Sequence, residues 1–289
     1  MTPFPDEFES SIQSRVAYED YAAVPAVSIT RLKELRRSAQ HYRYALTHPK
    51  ETDPLRLGTA SHVATLEPER FASQFAVWDR QTSAAAMAPR RGQYWDAFCA
   101  ENVGRTVLTP DQNALANAIA KAVRSDPIAM PYLESGEPEV SMTWMLGERQ
   151  CKGRADWITR RNGCPVVVGL KTARDCRHFA FGSQSAKLGY HLQWAFYFDA
   201  YRILRGDEPL MVEIVVENKP PHAVVVYRIP TDIIDQGRDE YEALLRQLEE
   251  CERTNTWPGP AQEEQILTLP SWVYQAEDDL SDLGLEITP

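Results

Sequence analysis

The sequence predicts a mixed α/β (α+β) protein, a central mixed β-sheet flanked by helices, and three observations carry that prediction. Five runs rich in β-branched and aromatic residues, 139–146, 152–159, 164–171, 210–217 and 223–230, read as strands and all fall in the second half of the chain. Between and after them, 184–204 and 231–253 carry apolar residues at helical spacing. Ahead of them, 1–130 is mainly helical, so helices are expected to add to a sheet-bearing core at 131–289 within a single domain spanning 1–289.

Taken in order, residues 27–47 begin with Ser28 as a capping candidate and place Leu32, Leu35 and Ala39 among Arg31, Lys33, Arg36, Arg37 and Arg43, which predicts a basic amphipathic helix. A second helix is expected from Gly58-Thr59 onward, with His62 on the same face as Leu66. The segment 80–92, "RQTSAAAMAPRRG", is polar and alanine-rich and reads as a mobile connection. Residues 109–126 return to helical spacing before the strands begin. No internal repeat and no linker interrupt the chain.

The second and third strands are joined by Arg161-Asn162-Gly163-Cys164, and Asn-Gly between apolar runs signals a type I′ hairpin. With Asn162 and Gly163 as the loop, 161 faces 164 and, counting back, Asp156 faces Gly169. Pair 161:164 is hydrogen-bonded, so 160:165 is not, and Pro165 sits where no ladder donor is needed. By the same alternation 156:169 is a non-bonded pair, whose Cβ atoms approach within about 4.5–5.5 Å. Lys171, two residues on, shares that face, while Leu170 points into the core. Asp156, position 169 and Lys171 therefore converge, either as a site or as a cross-strand ion pair.

At 289 residues with 43% hydrophobic and 10% aromatic content, the chain has ample material for a packed core. No run is long and apolar enough for a membrane span, and "MTPFPDEFES" lacks the basic and apolar parts of a signal peptide, so a cytoplasmic protein that does not engage membrane is expected. Five cysteines without CxxC spacing read as reduced structural thiols. A net charge of −10 excludes non-specific coating of nucleic acid but permits a local basic channel.

An aspartate followed on the next strand by acidic-x-Lys is the core of the PD-(D/E)XK nucleases, and six ordered motifs here resemble one branch, the RecE-like (exonuclease VIII-like) group related to the RecB and lambda exonuclease nuclease domains. They are "YAAVPAVSITRLKELRRSAQHYRYAL", "LGTASHVATLEPERF", "GEPEVSMTW", "KGRADWI", "YHLQWAFYFDA" and "WPGP". The resemblance implies a restriction-endonuclease-like core with N-terminal helical additions. It also implies Mg²⁺, with Mn²⁺ as substitute, surrounded by His62, Asp156, the residue at position 169 (Gly169 here) and the Leu170 carbonyl. Lys171 would support the attacking water and deprotonate it if its pKa were depressed. Glu139 is expected as an outer ligand or orienter, or else as a plain strand-edge carboxylate. Gln193 and Tyr197 share a helical face with Tyr190 and are expected to line the DNA strand path, with core packing the rival for Tyr197. Arg36, Arg37, Arg90 and Arg91 are candidates for phosphate contact.

What the resemblance implies in function is a metal-dependent exodeoxyribonuclease that degrades linear double-stranded DNA from its ends for homologous recombination, in a phage-related setting. Single-stranded DNA would be its product, a single-strand annealing protein a partner, and a homo-oligomeric ring its assembly. One position departs: 169 is glycine where the family has aspartate or glutamate. Losing that carboxylate removes a charge and one or two oxygen ligands, so attenuated or absent cleavage is expected, and an inactive module binding DNA ends or a recombination partner is the alternative. Restoring Asp at 169 is expected to raise metal affinity and activity and to change folding little.

Overall fold

The computed structural model describes residues 9–48, 52–82 and 87–269. In chain order its elements are β1 (Ser11–Gln13), α1 (Tyr18–Ala23), β2 (Val27–Ser28), α2 (Ile29–Leu32), a 3₁₀ turn (Lys33–Arg36), α3 (Ala39–Thr47), α4 (Asp53–Leu66), α5 (Pro68–Gln74), β3 (Phe75–Val77), α6 (Gln93–Glu101), β4 (Thr106–Leu108), α7 (Pro110–Ser125) and α8 (Met130–Leu133). The second half follows as β5 (Glu137–Leu146), β6 (Arg149–Arg161), β7 (Cys164–Ala173), α9 (His178–Leu188), α10 (Tyr190–Arg205), β8 (Leu210–Glu217), β9 (Val224–Arg228) and α11 (Thr231–Thr254).

The main sheet runs β1-β5-β6-β7-β8-β9, with β2 pairing in parallel with β6. β5, β6 and β7 form an antiparallel meander, β7 and β8 are parallel across the α9–α10 connection, and β9 returns antiparallel. The expected mixed sheet flanked by helices is thus present. The N-terminal part is not helical throughout, because β1 joins the edge of β5 and β2 joins β6.

Alternation along the strands builds two cores. Val167, Met211 and Val215 pack with α10 and α11 through Leu192, Phe196, Tyr241 and Leu248. Val166, Val168, Leu170, Val212, Ile214 and Val216 face the other way, against Leu66 of α4 and Ile119 and Val123 of α7. β7 and β8 are therefore covered on both faces, which is why they read as continuous apolar runs.

Three expected elements differ from their sequence outlines. The single helix over 27–47 is broken at Ser38, whose hydroxyl accepts from the His41 N–H (3.2 Å) and caps a new helix, α3. Serine competes for backbone donors in this way and so favours helix starts over helix interiors. The helix over 184–204 is two helices, because Gly189 with φ 65° terminates α9. α4 starts ahead of Gly58, with the Thr52 hydroxyl accepting from the Leu55 N–H (3.4 Å) and Pro54 in the first turn. Within 80–92, residues 83–86 lie outside the described residues, and Trp78 Nε1 donates to the Ala88 carbonyl (3.0 Å) beyond them. Among the described residues no helix is long and apolar enough to cross a membrane.

Candidate metal-centred active site

The hairpin register is as the Asn-Gly turn predicts. Asn162 and Gly163 take φ 51° and 81°, and the pairs run from Arg161↔Cys164 to Trp157↔Val168. The ladder ends one pair short of 156:169. There the Asp156 side chain replaces the ladder, its Oδ2 accepting from the Leu170 N–H at 2.8 Å. On the other side, β5 and β6 stay in register around the same point, with Pro138↔Trp157 and Val140↔Ala155 flanking it. Glu139, between them, has φ 49°, an uncommon backbone state for a non-glycine residue and one that clusters at functional sites. Ala155 and Ile158 pack against the same hydrophobic cluster though three residues apart, so the alternation of β6 breaks at this point too. Both strands are deformed where the two carboxylates meet.

α4 brings His62 to this break. Its Nδ1 lies 3.6 Å from Asp156 Oδ1. His62, Glu139 and Asp156 each offer one ligand atom, and these atoms lie within 4.8 Å of one another. Lys171 Nζ sits 3.3 Å from Asp156 Oδ2 and 3.3 Å from the Leu170 carbonyl oxygen. Four of the site residues expected from sequence, together with the Leu170 carbonyl, are therefore gathered.

Electrostatics follow from burial and charge. Burial pushes the Glu139 carboxyl up to about 7, with the Asp156 charge adding and the Arg154 guanidinium, 2.7 Å away, opposing. Burial alone would raise Asp156, but Lys171, His62 and the Leu170 N–H outweigh it and hold it below its ordinary value. Burial lowers His62, with Asp156 and a backbone hydrogen bond to Leu170 opposing, so the neutral imidazole is favoured. Burial alone would lower Lys171, yet Asp156 and a second carboxylate raise it instead. In this arrangement Lys171 is held as a cation.

The second carboxylate is Glu213 of β8, which the sequence reading passed over. It is 1% exposed, and its Oε1 lies 3.4 Å from Lys171 Nζ. Its Oε2 accepts a short hydrogen bond from Trp194 Nε1. β8 pairs Glu213 with Gly169, so the two positions share a face. The signal was in "LMVEIVVE": a glutamate inside an apolar run of a doubly covered strand is a residue type almost never fully buried without a partner. Glu67, 2% exposed and paired with Arg70 at 2.6 Å, was likewise missed and adds negative potential at Glu139.

The remaining candidates are placed as follows. Tyr197 and Gln193 line the same cleft as Asp156 and Lys171, but Tyr197 is 9% exposed and lies against Gly153, with its hydroxyl accepting from the Arg154 N–H (3.4 Å) and bonding Gln193. Its ring belongs to the core and only its hydroxyl end reaches the site. Arg36 is committed to the protein: Nε pairs with Glu240 (2.8 Å) and the other nitrogens donate to the Ala186 and Lys187 carbonyls. Arg37 pairs with Glu34 (3.3 Å), Arg90 lies over the Trp95 ring, and Arg91 is exposed.

The residues present fit a divalent cation. The donor set is dominated by hard carboxylate oxygens with one neutral imidazole, and the buried Glu213 Oε1 has no hydrogen-bond partner. An antiparallel meander joined through helices to a parallel strand, with an aspartate and a lysine meeting where the strands part, defines a nuclease fold of the PD-(D/E)XK type. The family profile described as "PDDEXK-like domain of unknown function (DUF3799)" matches residues 28–269, and the chain belongs to that family. A crystal structure designated "Putative exonuclease" from Eubacterium rectale is similar over 89% of this chain and 96% of that one, with a TM-score of 0.60 at 14% identity. Two others match with low TM-scores: SSO0001 (0.26; 15% identity; 74% of this chain and 84% of that one) and VC1899 from Vibrio cholerae (0.21; 16%; 82% and 62%). A comparison with curated proteins found no match.

Proposed function

We propose that this protein is a divalent-metal-dependent exodeoxyribonuclease that degrades linear duplex DNA from its ends. The observation that supports this most directly is the convergence of His62, Glu139 and Asp156 within 4.8 Å, with Lys171 3.3 Å from Asp156. His62, Asp156 and the Leu170 carbonyl would hold Mg²⁺, or Mn²⁺ in its place, with Glu139 beside them. When bound, the ion supplies a Lewis acid for phosphate oxygens and a water of lowered pKa. Lys171, held as a cation, orients that water and offsets charge developing on the phosphate. Arg154 holds Glu139 in place, and the Leu170 N–H holds Asp156. Neutral His62 can give its lone pair without first losing a proton.

The exonucleolytic mode, a recombination role with a single-stranded product and an annealing partner, a ring-shaped homo-oligomer and a cytoplasmic setting belong to this proposal through the RecE-like resemblance of the six motifs. The attenuation expected from Gly169 rests on a charge count that leaves Glu213 out. With it, Lys171 stands between two carboxylates, Asp156 and Glu213, while Glu139 lies beside Asp156 and His62.

Release of acid-soluble nucleotides from linear duplex DNA, compared with a covalently closed circle of the same sequence, tests the reading. The expected result is Mg²⁺-dependent release from the linear form alone, abolished by EDTA and by Asp156→Asn. Cleavage of the circle would overturn the exonucleolytic mode. DNA-end binding without metal-dependent release would instead identify the inactive binding module.

A further inference from the structure

We propose that Glu213 takes over the task of the acidic residue absent from position 169, reaching the cation site from the neighbouring strand. The inference rests on the nuclease reading above and names a ligand for it that the family's acidic-x-Lys pattern does not contain.

Backbone register makes the exchange possible. Gly169 and Glu213 are partners across the parallel β7–β8 pair, so their side chains leave the sheet on the same face, toward α10. A Cβ built on Gly169 would fall 2.6 Å from Glu213 Oε2 and 2.7 Å from its carboxyl carbon, and closer still to Oε1. The Glu213 carboxylate thus occupies space that the side chain of an acidic residue at 169 would need. The two arrangements exclude each other: a Cβ under 3.0 Å from a neighbour forces a shift, so the glycine is what admits Glu213 to this point.

The state of the carboxylate points to a ligand. Glu213 is 1% exposed, and burial raises its carboxyl above its ordinary value, with Asp156 adding and Lys171 and Trp194 opposing, so the group is short of compensating positive charge. Trp194 Nε1 satisfies Oε2 and orients the group. Oε1 meets Lys171 Nζ at 3.4 Å, a long ion-pair contact that falls short of a well-aligned hydrogen bond. Lys171 in turn bridges Glu213 and Asp156, as it would bridge Asp156 and an acid at 169. A divalent cation of the hard class, Mg²⁺ or Mn²⁺, would supply the missing positive charge and a closer partner for Oε1.

Calorimetric titration of Mn²⁺ into the full chain, free of DNA, tests this with four proteins: the parent, Glu213→Gln, Asp156→Asn and the double variant Gly169→Asp/Glu213→Val. Glu213→Gln keeps the volume and an acceptor for Trp194, so folding is preserved while the charge is lost. The expected result is a loss of affinity of roughly tenfold or more in Glu213→Gln, and recovery in the double variant, where the acid returns to β7. Unchanged Mn²⁺ affinity in Glu213→Gln, with affinity lost in Asp156→Asn, would overturn the role of Glu213 and leave the nuclease reading standing. Absence of Mn²⁺ binding by the parent would overturn both. Recovery of affinity in the double variant keeps the proposal decidable even if Glu213→Gln folds poorly.

Discussion

Gly169→Ala should destabilise the metal-free protein, although the residue lies in an open-sounding glycine context and the added atom is one methyl group. The new Cβ would meet Glu213 Oε2 at 2.6 Å and Cδ at 2.7 Å, with Oε1 nearer still, so the glutamate must move. It has nowhere easy to go, being 1% exposed, bonded to Trp194 and held beside Lys171. Overpacking of this kind costs about 1–3 kcal/mol. Moving the carboxylate off Trp194 leaves a buried indole N–H unpaired, at about 1–3 kcal/mol more. Against this stands a gain of about 0.4–1 kcal/mol from restricting the unfolded chain. A net loss of roughly 2–4 kcal/mol follows, or on the order of 4–15 °C in Tm for a domain near this size. Urea denaturation in EDTA measures it. Gly169→Ala/Glu213→Ala should recover part of the loss, giving a coupling energy of about 0.5–3 kcal/mol between the two sites. A Gly169→Ala protein within about 0.5 kcal/mol of the parent would refute the contact. The expectation from sequence, that Asp at 169 changes folding little, assumed a position at the edge of the site, whereas the structure places the residue against a buried neighbour.

Gly153→Ala should cost about 1–3 kcal/mol, because its Cβ would meet the Tyr197 ring at 2.7 Å and that ring is buried; thermal denaturation checks it. Burial, with Lys171 and Arg36 adding, lowers Lys33 to about 8. Between that value and its unfolded one near 10.5 the unfolded chain binds more protons, so this residue makes stability rise with pH through that window, and Lys33→Met should flatten the rise in a pH series of urea midpoints. Arg36→Ala should lower stability by releasing Glu240 and the α9 carbonyls while leaving the salt slope of DNA binding unchanged; Arg37→Ala and Arg91→Ala should each reduce that slope by about one, read from affinities across a salt series.

Local chemistry made part of the site legible. Asn162-Gly163 dictates a two-residue turn, the turn dictates register, and register brings Asp156 toward Gly169 and Lys171 without knowledge of the rest of the fold. Helix starts and breaks were legible only where a capping group had no competitor. α7 begins where helical spacing was expected from 109, and Thr109, with its reciprocal bond to Gln112, caps it, whereas Ser38 inside a basic amphipathic stretch could equally have been an exposed interior residue. His62 was placed by its motif, and nothing in helical spacing says that α4 crosses the break between β6 and β7. The left-handed backbone of Glu139 has no sequence signature either, since glutamate is not a residue that favours positive φ.

Glu213 marks the boundary between what a turn can specify and what only the fold can. β6 and β7 are joined by two residues, so their pairing follows by counting. β7 and β8 are joined through α9 and α10, and the register of a parallel pair after such a crossover is set by how both helices pack on the sheet, not by any local rule. The same sequence therefore shows that a carboxylate is missing from 169 and conceals that one arrives from 213. A glutamate within an apolar strand was the visible half of the signal, a glycine before Leu-Lys the other half, and only the parallel register joins them. Where an expected catalytic acid is absent from its strand, the buried acids of the adjoining strand at the same level are the physically accessible substitutes, because a neighbouring strand lies only about 4.8 Å away, within reach of a glutamate side chain.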